Sequence, residues 1–318
     1  MKKVLFIDGN SLFHRAYHAY EKSAMRDGKG GVWGVYGFVT LMLGIVDKLN
    51  PTHLIVGFDD PTGKSFRKEY DSNYKAQRSD KGEDFRAQAD RLRSFLTELG
   101  IPVMIFEGME ADDISGSMAR LSKEEGFFLA IATSDRDALA LVSETAYVYQ
   151  LRNGLDNAIM YDKARVIADY EVEPERYMAF AALRGDTSDN LPGVYGVGPK
   201  GASAVLKRFA INELLAKAEA GEISDPKWVL ESKNREIIRH NIKMMSPVLN
   251  LNVSIKEAAL PLMLSEEIRK RVTEENLPSL ESRIESVLFG VKTSKPTITL
   301  DLDQKMVEQI VFVDYIKL

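Results

Sequence analysis

The sequence predicts an α/β fold with a mostly parallel central sheet. Two observations lead there. Short, β-branched apolar runs alternate with stretches of helical periodicity. Four of these runs stop at acids: Val4 to Ile7 at Asp8, Leu54 to Phe58 at Asp59, Pro102 to Phe106 ahead of Glu110, Asp112 and Asp113, and Leu129 to Thr133 ahead of Asp135 and Asp137. Ligands of such sheets sit outside the carboxyl ends of the strands, so the pattern gathers the acids in one place. Gathered carboxylates repel unless something positive lies between them, and their oxygens suit Mg²⁺ or Mn²⁺. The expectation is a pocket tolerable only when divalent cations neutralise it.

Residues 1 to about 60 read as strand, helix, strand. The helix covers roughly 34–48, where Phe38, Leu41, Met42, Ile45 and Leu49 fall at helical spacing, and Asn50-Pro51 ends it. The next segment, about 61–95, differs in kind. Lys64, Arg67, Lys68, Lys75, Arg78, Lys81, Arg86, Arg91 and Arg93 are interleaved with Phe66, Tyr70, Tyr74 and Phe85. Glu83 to Leu99 reads as helix, and the start around Ser79 to Gly82 as mobile. A strand, a helix over about 111–126, another strand, and a strand near 147–151 complete the α/β part. From about 160 the pattern is helical, broken by a Gly-rich turn near 191–201. The Thr/Ile/Val/Phe-rich stretch from about 292 reads as a strand or ordered extension. No internal repeat or low-complexity segment occurs.

A chain of 318 residues is long enough for two domains. With 45% hydrophobic and 28% charged residues it is ordinary for a globular protein. The absence of Cys excludes disulfides, thiolate-bound zinc and iron–sulfur clusters. None of the four His is spaced for a zinc site. The net charge of −5 argues against a nucleic-acid partner only at first sight, because metal-ligating carboxylates are counted in it as bare negatives. Asp8 ends the first apolar run too early for a signal peptide, and no run reaches the roughly 18 residues of a membrane helix.

Each motif has a plain alternative. Acids in a first helical turn often only cap, and Asp112 or Asp113 could do so. Asp135 and Asp137, two apart, suit one ion from a turn. Asp186 and Asp189, three apart, share a helical face and could complete a second metal site. Gly196-Val197-Gly198 before Pro199 offers free N–H groups at a helix start, an anion site suited to a backbone phosphate; no Walker A signature follows. The basic and aromatic segment reads either as a solvated amphipathic helix or as a groove for single-stranded nucleic acid, cations meeting phosphates and rings stacking on bases. Arg67 belongs to that set. Arg15 stands where it could touch a phosphate.

Taken together, Phe6-Ile7-Asp8-Gly9-Asn10-Ser11, Phe58-Asp59, Ser65-Phe66-Arg67, Tyr74-Lys75-Ala76-Gln77-Arg78, Glu110-Ala111-Asp112-Asp113, Ser134-Asp135-Arg136-Asp137 and Gly185-Asp186-Thr187-Ser188-Asp189-Asn190-Leu191-Pro192-Gly193 resemble, in order, the bacterial and phage 5′-nucleases. The resemblance covers about residues 1–255. It implies a PIN-like sheet with a helical arch and a C-terminal helix–hairpin–helix-type DNA clamp. The expected domains are 1–165 with the arch at about 61–95, the clamp at 166–260, and an extension of unknown role at 261–318. The implied metal acids are Asp8, Asp59, Glu110, Asp112, Asp113, Asp135, Asp137, Asp186 and Asp189. Tyr74, Lys75 and Arg78 match the arch motif near the scissile phosphate. Gly193, Gly196, Gly198 and Lys200 lie in the loop that holds duplex backbone, often with K⁺. Asp60 stands where the family commonly has a small residue, which would add a negative charge beside the site. Pro199 and Gly201 replace its usual Glu and Thr.

The implied activity is that of a flap endonuclease and 5′–3′ exonuclease with two Mg²⁺ or Mn²⁺ ions per site. Its partner would be DNA with a 5′ flap or end, or an RNA–DNA hybrid. A monomer is expected in the cytoplasm of a bacterial cell or phage host. No polymerase domain follows within the 318 residues, which suggests a stand-alone nuclease. The competing reading is a structure-specific DNA-binding protein with little or no catalysis. A haloacid-dehalogenase-type phosphatase is disfavoured, because Asp8-Gly9-Asn10 lacks the second Asp such chemistry uses as general acid.

Overall fold

The computed structural model describes residues 1–21, 26–27, 30–152, 154–275, 277 and 279–291. The segment from 292, read above as strand or extension, lies outside the described residues.

Strand β1 (Lys3–Asp8) runs into helix α1 (Gly9–Tyr20) with no loop between them. Asp8 makes this possible: its Oδ1 accepts the Ser11 N–H at 2.9 Å, capping the helix. Leu12, Phe13, Ala16 and Tyr17 then turn one face inward. The strand–helix–strand reading of this region therefore missed a helix. A short ribbon of β2 (Arg26–Asp27) and β3 (Gly30–Gly31) leads to α2 (Trp33–Leu49), which stops where Asn50 turns left-handed ahead of Pro51. Strand β4 (His53–Gly57) follows. Then come α3 (Phe66–Tyr70), α4 (Glu83–Glu98), the two-residue β5 (Val103–Met104), α5 (Ala111–Glu125) and β6 (Phe128–Thr133). A hairpin of β7 (Ala146–Arg152) and β8 (Gly154–Tyr161) closes the sheet.

The strand order is β5-β4-β1-β6-β7-β8. All neighbours are parallel except β7 and β8. Strand β8 escaped the sequence reading because it is an edge strand. Only its last residue is buried, so no continuous apolar run marks it.

The inner strands are apolar on both faces, as a parallel sheet covered on both sides requires. Leu5, Ile7, Leu54, Val56, Ala130 and Ala132 face α1, α2 and α4. Val4, Phe6, Ile55, Leu129 and Ile131 face α5 and the helices that follow. The register sets Asp8 beside Gly57 and Ile7 beside Ala132, so the acids after β1, β4 and β6 emerge on one edge.

The remaining helices are α6 (Lys163–Tyr170), α7 (Pro174–Arg184), α8 (Pro199–Arg208), α9 (Ile211–Glu219), α10 (Ser232–Met245), α11 (Glu266–Glu274) and α12 (Glu281–Phe289). Pro174 and Pro199 open α7 and α8 at positions where a missing N–H costs nothing. Helix α7 packs on the 3-10 turn Asp137–Leu141 and against α8 and α10. The described residues between 261 and 291 return to the N-terminal half. Val272, Leu277, Leu280, Ile284 and Leu288 complete the core under α2 and α4. No helix among the described residues is long and apolar enough to cross a membrane.

Candidate active site

The carboxyl edge of the sheet collects acids from separate parts of the chain. Asp8 is buried at the end of β1, and its Oδ2 accepts the Thr133 hydroxyl at 2.8 Å. Asp59 accepts from the Ala111 N–H at 2.8 Å and from the Asn10 amide at 3.0 Å. Glu110 precedes α5 and accepts from Ser65 Oγ at 3.1 Å, Tyr74 OH at 3.1 Å and Lys75 Nζ at 2.8 Å. Asp112 stands in the first turn of α5. Asp135 follows β6 and accepts the Asp137 N–H at 2.8 Å. Asp186 caps the 3-10 turn Thr187–Asp189 through the Ser188 N–H. Asp189 accepts from Tyr74 OH at 3.1 Å and pairs with Arg78.

The electrostatics show how closely these groups are packed. Asp8 is pushed up to about 7 by burial, with Asp59 and Asp135 adding to the effect. Burial and the neighbouring acids push Asp137 up to about 8. Asp59, Asp112 and Asp135 are raised for the same reasons. Glu110 goes the other way: burial opposes its charge, but Lys75 and Arg67 outweigh that and hold it below the usual range. The cleft is thus neutralised at one corner and short of positive charge at the other.

That is a correction to the expectation that only divalent ions balance the pocket. Lys75 Nζ bridges Glu110 at 2.8 Å and Asp189 at 3.8 Å, and Arg78 pairs with Asp189. Among the described residues, no three acids stand close enough, as placed, to hold one ion. The donor chemistry still fits hard divalent cations. Every candidate ligand is a carboxylate, and Asp8, Asp59, Asp112, Asp135 and Asp137 are held above their ordinary range by burial and by one another.

Several predicted site residues lie elsewhere. Asp113 is fully buried and turned away from the cleft. Its oxygens take Arg67 in a bidentate pair at 2.8 Å and accept the backbone N–H of Glu110 and Val248. It has no lone pair to spare for an ion. Arg67 is 2% exposed and also donates to the Met244 carbonyl at 2.7 Å, so it does not meet DNA. Tyr74 is 4% exposed, so its ring packs and only its hydroxyl reaches the acids. Arg15 is committed to Ser134 Oγ and to the carbonyls of Leu151 and Arg152, which ties α1 to β7.

The clamp-loop residues sit as follows. Gly193 is required by close approach, because a Cβ there would lie 2.1 Å from the Arg184 carbonyl oxygen. Gly196 has φ +77°, Gly198 precedes α8, and both are exposed together with Lys200. Asp60 does not add charge to the cleft. It accepts from Thr62 and from the Gly108 N–H at 2.8 Å, stapling two loops.

Sequence reasoning missed Asn10, Ser65 and Thr133, which orient Asp59, Glu110 and Asp8. Each lies within the short motifs or beside them, but their hydrogen-bonding role needed the fold.

Residues 3–171 match the N-terminal resolvase-like domain of the 5′-3′ exonucleases, and residues 172–275 match their C-terminal SAM fold. The chain belongs to the 5′–3′ exonuclease family. The two family domains meet at the end of α6, whereas residue 165 lies inside that helix. The chain is 36% identical over 223 residues to DNA polymerase I of Chloroflexus aurantiacus, covering 68% of this chain but 23% of that protein. It is 28% identical over 290 residues to the 5′-3′ exonuclease of Aquifex aeolicus, covering 90% of this chain and 96% of that one. The T5 D15 protein co-crystallised with metal ions has a similar fold, with TM-score 0.61 at 17% identity over 90% of this exonuclease-family chain and 99% of that one.

A pH dependence follows from the raised carboxyls of this exonuclease-family site. A carboxyl whose folded pKa is raised keeps a proton that the unfolded chain has lost, so stability falls as pH rises through the folded pKa. His14, lowered to about 4 by partial burial and Lys81, slopes the opposite way, but only below about 6.5, the ordinary His value. The clean window is therefore between about 6.5 and 8, where Asp8 and Asp137 ionise. In EDTA the melting temperature should drop across that window. Mg²⁺ should restore more of it at the upper end than at the lower. A flat profile in EDTA would count against a charge-starved cleft.

Proposed function

We propose that this exonuclease-family protein is a structure-specific 5′-nuclease, a flap endonuclease and 5′–3′ exonuclease, hydrolysing DNA phosphodiesters with two divalent ions, Mg²⁺ or Mn²⁺. One observation carries the reading: acids from β1, β4, α5, β6 and the turn after α7 meet on one sheet edge directly beside the cationic segment of Lys75 and Arg78.

Asp8, Asp59, Glu110 and Asp112 would hold one ion, and Asp135, Asp137, Asp186 and Asp189 would hold or orient the other. Such ions supply Lewis acidity at the phosphorus and a more acidic attacking water. The chain's own residues do the rest. Lys75 and Arg78 stabilise negative charge growing on the phosphate. The Tyr74 hydroxyl lies 3.1 Å from both Glu110 and Asp189 and donates its one proton to either of them. Water adds to phosphorus and the 3′ oxygen leaves, so the product carries a 5′-phosphate. Duplex backbone would rest on the N–H groups of Gly196, Gly198 and Lys200, with K⁺ as a further cation there. The single strand would pass the arch at 61–95. The role would be primer removal or repair in the cytoplasm, carried out by a monomer.

The test is cleavage of a 5′-labelled flap, a nicked duplex and an RNA-primed duplex with and without Mg²⁺. Asp135→Asn should abolish cutting and leave flap binding, measured by anisotropy, largely intact. A protein that binds flaps but cuts none of the substrates with either metal would instead be a binding module.

A further inference from the structure

The cationic segment is not merely near the acids. It is strapped to the turn that carries two of them. Gln77 Nε2 donates to the Thr187 carbonyl at 2.8 Å and the Ser188 carbonyl at 3.1 Å. From the other side, Asn190 Nδ2 donates to the Asn73 carbonyl at 2.9 Å, and the Lys75 N–H donates to the Asp189 carbonyl at 3.1 Å. Lys75 itself sits at φ +56°, a left-handed conformation that side chains other than Gly rarely adopt. This bend carries its ammonium between Glu110 and Asp189.

We propose that Gln77 and Asn190 are positioning residues that hold Lys75 as a resident counter-ion of Glu110 and Asp189, and that divalent cations must loosen this strap to take those two acids as ligands. The inference rests on the divalent-ion reading above and adds a competition to it. Neither Gln77 nor Asn190 touches a carboxylate, and both are exposed. Their hydrogen bonds join backbone to side chain across the cleft mouth and have no other evident purpose. The carboxylate oxygens that hold the Lys75 ammonium cannot serve an ion at the same time. The strapped form therefore binds ions less well, and anything that weakens the strap raises ion affinity by the same factor.

The experiment uses the full chain without DNA. Mg²⁺ is titrated calorimetrically into the wild type, Gln77→Ala and Asn190→Gly. The glycine keeps the left-handed turn at residue 190, where φ is +61°, while removing the amide. Each variant should bind Mg²⁺ about threefold to tenfold more tightly, the range expected for one or two net hydrogen bonds. A second readout is trypsin cleavage after Lys75 and Arg78. It should be slow in the wild type until Mg²⁺ is added, and fast in both variants without it. A merely structural role would weaken Mg²⁺ binding, not strengthen it. Unchanged or weaker binding in both variants overturns the strap while leaving the ion site standing. A wild type that takes up no Mg²⁺ at all overturns the ion reading and the strap together.

Discussion

Asp113→Asn is expected to destabilise the fold by about 3–5 kcal/mol, the range found when one partner of a buried ion pair is removed. The residue is fully buried, and its two oxygens satisfy both terminal nitrogens of Arg67 at 2.8 Å. Asparagine keeps the shape but leaves the 2% exposed guanidinium without its main counter-charge. Glu110, at 3.9 Å, still attracts the guanidinium but is beyond hydrogen-bond reach and already serves Lys75. The loss spreads beyond the pair. Arg67 also holds the carbonyls at the end of α10, and Asp113 holds the Val248 N–H, so the pair joins α3, α5 and α10. Urea or thermal melts in Mg²⁺ read the effect, on the order of ten degrees in melting temperature. The double variant Arg67→Met with Asp113→Leu should not recover it, because the pair also satisfies the N–H groups of Glu110 and Val248 and the carbonyls of Met244 and Ser246, which would be left buried without partners. A melting temperature within a degree or two of wild type for Asp113→Asn alone would show the pair to be dispensable.

That partition between Asp112 and Asp113 is where the sequence stopped being legible. The strand-end acids were readable because two local rules fix them: apolar runs define strands, and parallel register places their ends on one edge. Asp8 illustrates the strength of this, since it leaves the core at a strand end whatever the rest of the chain does. Successive residues on a helix, by contrast, point about 100° apart. Which of Asp112 and Asp113 faces the cleft depends on Arg67, brought in from a separate helix.

The same limit applies to Tyr74 and Arg15. Burial and base stacking use the same ring, and a phosphate contact and a carbonyl contact use the same guanidinium. Only the packing of α1 on β7, and of the arch base on α5, decides between them. Helix α1 was missed for a different reason. Asp8 is at once the last strand residue and the helix cap, so no loop signal separated the two elements.

Asp112→Asn should give the opposite phenotype from its neighbour. Cleavage of a flap in saturating Mg²⁺ should fall on the order of a thousandfold, since several kcal/mol of metal-assisted stabilisation are at stake and each 1.4 kcal/mol or so is a factor of ten. The ion-free protein should become more stable, not less. Asp112 is raised well above its usual range by burial, with Asp135 and Asp8 opposing its charge further. An amide of the same size removes that repulsion and breaks no ion pair among the described residues. Above the ordinary carboxylate range the wild type carries the cost of this charge or of its retained proton, and the variant does not. The measurement is a pair of melts in EDTA beside a single-turnover cleavage rate. Stability lost at Asp112 as heavily as at Asp113 would mean that both acids serve the fold. The contrast is sharp because the two substitutions are chemically identical and lie one residue apart, so only the direction each side chain faces can separate them.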